Sequence, residues 1–300
     1  MNVVAIFGPT AIGKTSVAIE LAEGLRARGE DPVAVSCDAL QVYRGLEALT
    51  GAPTAGERRR LEHRLVGIVE VTEEFSAGRF AESARREIDD LLAAGRRPIV
   101  VGGTGLYLRA ALSKLELRPP VPASVRSDVE AEIAARGPEA LHGELEPALA
   151  ATVHPRDRKR VARAVELQRA GADPPPPGSG ELWTARLRHP TLLAGIICER
   201  AELDARIDAR VDALLAAGAA EEAERAGASG ASRTARAALG FEELLRGDVE
   251  AMKREHRRYA RRQLTWMRRM EGVHLIDRTG RGDAEVAAAI GAWLDAGVRA

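Results

Sequence analysis

The chain has 300 residues, enough for one large domain or two smaller ones with a substantial core. It carries 44 basic and 44 acidic residues, so its global charge neither requires nor excludes a nucleic-acid partner. Two cysteines and scattered histidines exclude a disulfide framework and a recognisable metal-ligand spacing. No apolar run approaches the roughly eighteen residues of a membrane span, and we expect a soluble, cytoplasmic protein that acts as a monomer.

The first predicted elements are a buried strand at Val3–Phe7, a glycine-rich loop and a helix over Ser16–Arg26. The loop fits the phosphate-binding (P-loop) pattern G-x-x-x-x-G-K-[ST], with the strand before it and the helix after it that this motif requires. Loop amides and the positive helix end would cradle a diphosphate, Lys14 adds charge, and the Thr15 hydroxyl suits Mg²⁺. The residues expected to bind the diphosphate are Gly8, Pro9, Thr10, Ala11, Ile12, Gly13, Lys14 and Thr15.

Two further strands bring polar residues to the same edge of the predicted sheet. Asp38 follows a strand at Val33–Ser36, and Thr104 follows a strand at Pro98–Val101, where a nucleotide hydrolase usually has an aspartate. Because parallel strands end at one edge, Lys14, Asp38 and Thr104 should face one crevice. This set favours group transfer to an acceptor, with Asp38 as the base, over hydrolysis. Two other roles for Asp38 stay open, a loop cap and a Mg²⁺ ligand.

The remaining pattern divides the chain into a core and an insertion. We predict an α/β fold with a P-loop NTPase-like parallel sheet core, formed by residues 1–117 and 191–300, and an all-helical insertion domain at 118–190. The proline-rich tract 173–180 is interpreted as a mobile or extended loop. The helices expected in the insertion are Ala123–Arg136, Glu139–Glu146 and Arg156–Arg169. In the core we also expect a strand-like run at 65–71, a helix at Ser76–Ala94, strands at Leu192–Cys198 and Val273–Ile276, and a last helix at Asp283–Asp295.

Two basic segments are candidates for phosphate or nucleic-acid contact. The first begins the helix after His154, and the second lies late in the chain, interleaved with Tyr259 and Trp266. Such runs are also typical of solvated helix faces, and both interpretations stay open. Arginines of the second segment are placed to clamp a leaving diphosphate. The segments comprise Arg156, Arg158, Lys159, Arg160 and Arg163, and then Arg254, Arg257, Arg258, Arg261, Arg262, Arg268 and Arg269.

Six stretches, in order, resemble one family, the tRNA dimethylallyltransferases, which transfer an isoprenoid group to the adenosine 3′ of a tRNA anticodon. They cover nearly the whole chain: Gly8–Thr15, Ser36–Gly45, Val101–Leu108, His154–Val161 continuing through Arg163–Glu166, Ala238–Leu244, and Tyr259–Trp266.

The resemblance implies a role for each matched residue. The P-loop holds the diphosphate of dimethylallyl diphosphate through Mg²⁺, with Arg257 and Arg262 nearby. Asp38 accepts the proton of the flipped-out adenine's amine, and Thr104 lies at the same reacting centre. The tRNA anticodon stem-loop is the implied partner. The residues implied to contact it are Asp38, Ala39, Leu40, Gln41, Thr104, Arg126, Lys159, Arg160, Val161, Ala162 and Arg163.

The chain departs from the family pattern around the site, not at Lys14, Asp38 or Thr104. Six features of the family pattern are replaced or missing: a serine after the catalytic aspartate, small residues before the second P-loop glycine, a lysine in the stretch at 50–54, a paired histidine, a tyrosine and a threonine. The residues at these positions are Ala39, Ile12, Thr50–Thr54, His63–Arg64, Phe241 and His256.

Three alternatives share parts of this pattern. A small-molecule P-loop kinase has the loop and an early aspartate, and an adenylate isopentenyltransferase would use free AMP as acceptor. The long insertion with its basic helix favours tRNA over both. A nucleotide-switch protein is disfavoured because no aspartate follows Val101.

Overall fold

The computed structural model describes residues 2–115, 121–172 and 186–298. The chain forms two compact units: Met1–Leu115 with Glu181–Ala300 make up unit 1, and Glu116–Gly180 make up unit 2. The loop expected at 173–180 lies outside the described residues.

The second border of the insertion falls earlier than residue 190. Residues 186–190 belong to unit 1, because they are fixed to its helices and turns. The Arg188 N–H donates to the Leu112 carbonyl at 2.8 Å, and the Arg188 and His189 side chains both contact the Asp89 carboxylate. Residues 186–190 show no apolar periodicity, so these polar contacts could not be predicted from the sequence.

The strands of unit 1 are β1 (Val3–Phe7), β2 (Pro32–Ser36), β3 (Tyr43–Arg44), β4 (His63–Arg64), β5 (Val69–Glu70), β6 (Arg97–Gly102), β7 (Thr191–Ile197) and β8 (Val273–Asp277). Six of them form a parallel sheet in the order β4-β2-β6-β1-β7-β8. All five side chains of β1 are fully buried, as expected for a strand with both faces covered. The predicted α/β fold with a parallel core is thereby confirmed.

Helices cover both faces of this sheet. Those of unit 1 are α1 (Lys14–Arg26), α2 (Glu47–Thr50), α3 (Ala55–Arg60), α4 (Ala77–Ala93) and α5 (Gly105–Leu112) before the insertion. After it come α10 (Arg200–Ala216), α11 (Ala219–Ala228), α12 (Phe241–Leu245), α13 (Val249–Arg269) and α14 (Asp283–Asp295). One core cluster includes side chains of α1 and α14, and the other includes side chains of α4, α5 and α11–α13.

The run at 65–71 is not the single strand that the sequence indicated. Only Val69 and Glu70 of this run form a strand, because Leu65, with a φ of 62°, and Gly67, with a φ of 64°, are left-handed and cannot continue an extended strand. Strand β4 ends before Leu65 and joins the main sheet, whereas β5 follows Gly67 and pairs with β3 in a separate two-stranded sheet.

Over residues 121–172, unit 2 consists of helices joined by turns. Its helices are α6 (Ala123–Arg136), α7 (Pro138–His142), α8 (Pro147–Ala150) and α9 (Arg158–Arg169). Val129, Ile133, Leu141 and Val161 meet in its own apolar core. Among the described residues, no helix combines the length and the apolar character that crossing a bilayer requires.

Candidate active site

The P-loop connects β1 to α1 through a backbone that turns left-handed twice. Ala11 has a φ of 64° and Gly13 a φ of 88°. A side chain at position 13 would be strained by that φ and would also overlap the Arg278 guanidinium, so only glycine fits. Helix α1 begins at Lys14 with no acidic residue in its first turn, which leaves its positive end available to an anion.

Lys14 folds back over the loop. Its Nζ donates to the Pro9 carbonyl at 2.8 Å. Burial and, second, the neighbouring Arg210 lower the pKa of Lys14 to about 7, while Asp38 opposes the shift. An anion brought beside this ammonium would favour its charged form, so ligand binding and protonation are coupled at Lys14.

The P-loop, the ends of β2 and β6, and helix α13 border one cavity of about 1020 Å³. Asp38 and Thr104 lie in its wall, as the sequence predicted, together with Thr10, Ala11, Gly13, Lys14 and Thr15. Gly8, Pro9 and Ile12 are not in its lining, and Ile12 is buried in the core. The remaining predicted residues of the lining are Ala39, Leu40, Gln41 and Arg262.

Asp38 follows β2 in a tight turn. Its Oδ1 accepts the Leu40 N–H at 2.9 Å, so the loop-cap role is real, and among the described residues Oδ2 has no hydrogen-bond partner. The Asp38 charge also acts on two cations of the cavity lining. It raises the pKa values of Lys14 and Arg210 and so offsets part of the decrease that burial causes. A carboxylate with one oxygen free and facing a cavity remains available as a base.

A chain of hydrogen bonds connects Thr104 to the P-loop through α13. The Thr104 hydroxyl lies 2.6 Å from the Tyr259 hydroxyl, which also contacts the Gln263 side chain. The Gln263 Oε1 in turn accepts the Thr10 N–H at 2.7 Å. Burial, assisted by the Asp38 charge, raises the pKa of Tyr259, so this phenol stays protonated and can donate.

Comparison with known proteins identifies the family. A family model described as IPP transferase matches residues 41–270, and one described as isopentenyl transferase matches residues 1–73. A tRNA dimethylallyltransferase of Anaeromyxobacter dehalogenans is 43% identical over 290 residues, covering 91% of this chain and 94% of the relative. One from Acetivibrio thermocellus is 38% identical, with 92% of each chain covered. The chain belongs to the IPP transferase family.

Solved structures agree with this assignment. A tRNA isopentenylpyrophosphate transferase from Bacillus halodurans is 31% identical, with 99% of this chain and 96% of that chain covered and a TM-score of 0.71. A eukaryotic dimethylallyltransferase captured acting on tRNA is 25% identical, with 97% of this chain and 77% of that chain covered and a TM-score of 0.77. The resemblance inferred from the sequence motifs is confirmed.

Four lysine or arginine side chains of the described residues border the cavity, and the sequence motifs indicated only two of them. Arg58 of α3, whose Nε donates to the Pro53 carbonyl at 2.9 Å, was not predicted. Lys14 and Arg262 were foreseen, and the Arg262 guanidinium lies 5.4 Å from the centre of the Tyr259 ring. Arg210 of α10 was missed, because one arginine in an ordinary amphipathic helix gives no signal. Its Nη2 donates to the carbonyls of Thr50 and Gly51 at 3.3 and 3.4 Å. Arg210 therefore places a cation beside the stretch that lacks the family's lysine.

Two predicted residues are engaged elsewhere. The Arg257 guanidinium pairs with Asp208 of α10 and is not part of the cavity lining. Gln41 does border the cavity, but its Oε1 accepts from the Ser36 hydroxyl at 2.9 Å and its Nε2 donates to the Gly51 carbonyl at 3.2 Å. Gln41 thus joins the end of β2 to the end of α2.

Two departures from the family pattern have a local explanation. His256 is 4% exposed, and burial lowers its pKa, so the ring is neutral. Its Nδ1 donates to the Met252 carbonyl at 2.9 Å, which leaves Nε2 as the unprotonated nitrogen. Phe241 is fully buried in the apolar core, where it requires no partner for a hydroxyl.

In unit 2, the predicted tRNA-contact residues fall into two groups. Lys159 and Arg160 are exposed in the first turn of α9, whereas Val161 packs in the core of the unit and Ala162 is half-buried. Arg126 and Arg163 both pair with the nearly buried Glu166, Arg163 at 2.9 Å and Arg126 at 3.9 Å. The first turn of α9 carries Arg158, Lys159 and Arg160, and the N-cap Asp157 offsets part of this positive charge by pairing with Arg160 at 3.5 Å.

Proposed function

We propose that the chain transfers a dimethylallyl group from dimethylallyl diphosphate to N6 of the adenosine 3′-adjacent to the tRNA anticodon and releases diphosphate. The observation that carries this proposal is one cavity lined by a diphosphate loop, the Asp38 carboxylate and the Thr104 hydroxyl, in a chain of the IPP transferase family. The substrates named here are those of the tRNA dimethylallyltransferases that the chain resembles.

The donor end of the reaction needs positive charge around the leaving diphosphate. As the bond between the allylic carbon and the diphosphate oxygen breaks, negative charge grows on the oxygen, and preorganised donors lower that barrier most. Lys14, Arg210 and Arg262 border the cavity, and the loop amides add further donors. The allylic carbon tolerates the complementary positive charge, so the protein chiefly binds and orients.

The acceptor end needs a base and an exposed adenine. The N6 lone pair is delocalised into the ring, so the amine attacks the allylic carbon more readily when Asp38 takes its proton. The new N6–carbon bond forms as the carbon–oxygen bond breaks, and the proton moves to Asp38 and then to water. Extruding the base from its stack costs a few kcal/mol, which contacts within the cavity offset.

We propose Mg²⁺ as the cofactor, held largely by the substrate. The described residues contain no cluster of three or more His, Cys, Asp or Glu that would hold a metal alone. A single oxygen donor from the P-loop, together with phosphate oxygens of the substrate, suits Mg²⁺, because this ion keeps several waters and takes only one or two protein ligands. The Thr15 hydroxyl, at the start of α1 beside Lys14, is the protein ligand that we propose, and the ion would neutralise charge on the bound diphosphate.

Unit 2 is proposed to bind the anticodon stem-loop through its basic surface. The exposed Lys159 and Arg160 and the paired Arg126 and Arg163 are the contacts with phosphate that we infer. Phosphate contacts of this kind position the RNA without reading its sequence.

One experiment separates the candidate functions. The protein is incubated with dimethylallyl diphosphate and Mg²⁺ in the presence of tRNA or AMP, and with ATP and small-molecule acceptors as a third arm. Mass analysis of the digested nucleosides should show prenylated adenosine from tRNA. Prenylated AMP alone would favour the adenylate transferase, and phosphoryl transfer from ATP would favour the kinase.

A further inference from the structure

The P-loop backbone requires support from outside the loop. A non-glycine residue in the left-handed region, such as Ala11, is strained by sterics alone, and Gly13 is left-handed as well. Gln263 supports one side by accepting the Thr10 N–H. The other side is supported by a residue from the end of the chain that no motif marks, Arg278.

Arg278 is 2% exposed and lies just after β8. Its Nη1 donates to the Ile12 carbonyl, its guanidinium pairs with Asp283 at 3.0 Å, and its backbone N–H is fixed to the Ile197 carbonyl at 2.9 Å. Asp283 is the first residue of α14, so the arginine ties the loop to both β8 and α14.

The contact with the Ile12 carbonyl determines where the next N–H points. In a trans peptide, the C=O of one residue and the N–H of the next lie on opposite sides of the peptide plane. Ile12 is buried behind the loop, whereas Gly13 lines the cavity. Holding the Ile12 carbonyl toward the protein interior therefore turns the Gly13 N–H toward the cavity.

We propose that Arg278 is a positioning residue for diphosphate binding. It holds the Ile12–Gly13 peptide so that the Gly13 N–H faces the diphosphate. This inference rests on the proposed binding of a diphosphate by the P-loop. The competing explanation is that Arg278 only joins β8 and α14 to the loop and leaves anion affinity unchanged.

The test compares variants in their affinity for inorganic diphosphate with Mg²⁺, measured by calorimetry. Arg278→Met combined with Asp283→Asn removes the guanidinium without leaving a carboxylate unpaired. We expect its Kd for diphosphate, and its KM for dimethylallyl diphosphate, to rise about tenfold or more, the usual effect of losing a charge-assisted hydrogen bond. The Kd for tRNA should stay within about twofold, because the acceptor does not use this peptide.

Arg281→Ala is the matched control, because Arg281 is a nearby arginine whose side chain pairs with Glu285 and does not contact the loop. Arg281→Ala should leave the Kd for diphosphate and the KM for dimethylallyl diphosphate unchanged. Arg278→Lys keeps the positive charge but not the planar guanidinium, and we expect its Kd for diphosphate to lie between those of the wild type and the double variant. If the double variant does not fold, Arg278→Lys is compared with the wild type instead.

Unchanged diphosphate affinity in the Arg278 variants overturns the proposal. So does an equal loss of diphosphate and tRNA affinity that follows a lower Tm, since that pattern indicates a structural role alone. The two proposals fail separately. If the wild type does not prenylate tRNA, the proposed function is lost, while the diphosphate titration still decides the role of Arg278.

Discussion

Lys14 should make donor binding strongly dependent on pH. Its pKa is lowered to about 7 in the free protein, chiefly by burial. About a tenth of the lysine is then charged at about pH 8 and about a hundredth at about pH 9. If the diphosphate requires the ammonium, affinity falls about tenfold, or about 1.4 kcal/mol, for each pH unit above 7, until the pKa of the complex is passed.

The assay is the Kd of dimethylallyl diphosphate from about pH 6 to about pH 9 for the wild type and Lys14→Arg. Arginine stays charged across this range, so the ratio of the two Kd values cancels the titration of the ligand itself. We expect this ratio to change by about tenfold per pH unit above 7. A ratio that stays constant over the whole range would refute the coupling of Lys14 protonation to diphosphate binding.

The same pKa shift predicts the effect of Lys14 on folding. The folded-state pKa lies below the unfolded value of 10.5, so the unfolded chain binds more protons between about pH 7 and 10.5. Stability should therefore rise with pH across this window and be lowest, for this group, below about pH 7. Lys14→Met should raise the Tm of the ligand-free protein while abolishing transfer, and thermal unfolding at about pH 7 measures it. A lower Tm in this variant would contradict the reasoning.

Three further predictions concern the base, the hydroxyl pair and the basic helix. Asp38→Asn keeps the shape but not the base, so turnover should fall by roughly 10²–10⁴-fold while donor and tRNA still bind; equal losses of binding and turnover would indicate a structural or metal-ligand role. Tyr259→Phe removes the partner of the Thr104 hydroxyl, and we expect about a tenfold lower kcat with donor Kd unchanged, whereas wild-type kcat would make the 2.6 Å contact irrelevant. The double variant Lys159→Ala with Arg160→Ala should weaken tRNA binding and reduce the slope of log affinity against log salt by up to about two units, with donor affinity unaffected. The control is Arg86→Ala, which removes an exposed arginine of unit 1. An unchanged slope would indicate that the basic face of α9 is only solvated and does not contact tRNA.

The residues that meet in the cavity beside the P-loop could be predicted from sequence because each belongs to a local pattern. Lys14 and Thr15 follow from the P-loop, and Asp38 and Thr104 follow from the rule that parallel strands end at one edge. The parallel sheet is equally local in origin, since strands buried on both faces have continuous apolar sequences.

What sequence did not predict depends on residues far apart in the chain. Arg210, Gln263 and Arg278 each contact a backbone group more than 150 positions away, and no periodicity marks which arginine or glutamine will do so. The pairing of Arg257 with Asp208 is of the same kind: a basic run indicates charge, but only packing determines which guanidinium faces the cavity. The left-handed Leu65 and Gly67 likewise keep the first residues of the run at 65–71 out of a strand, although the composition of the run suited one.

The most direct test of the central claim is the site of modification in a tRNA substrate. Anticodon stem-loops with adenosine or guanosine at the position 3′ of the anticodon are incubated with dimethylallyl diphosphate, Mg²⁺ and either the wild type or Asp38→Asn. Fragment mass mapping should find one dimethylallyl group, on the adenosine at that position, for the wild type alone. Transfer to the guanosine substrate, transfer at another position, or full activity of Asp38→Asn would contradict the account.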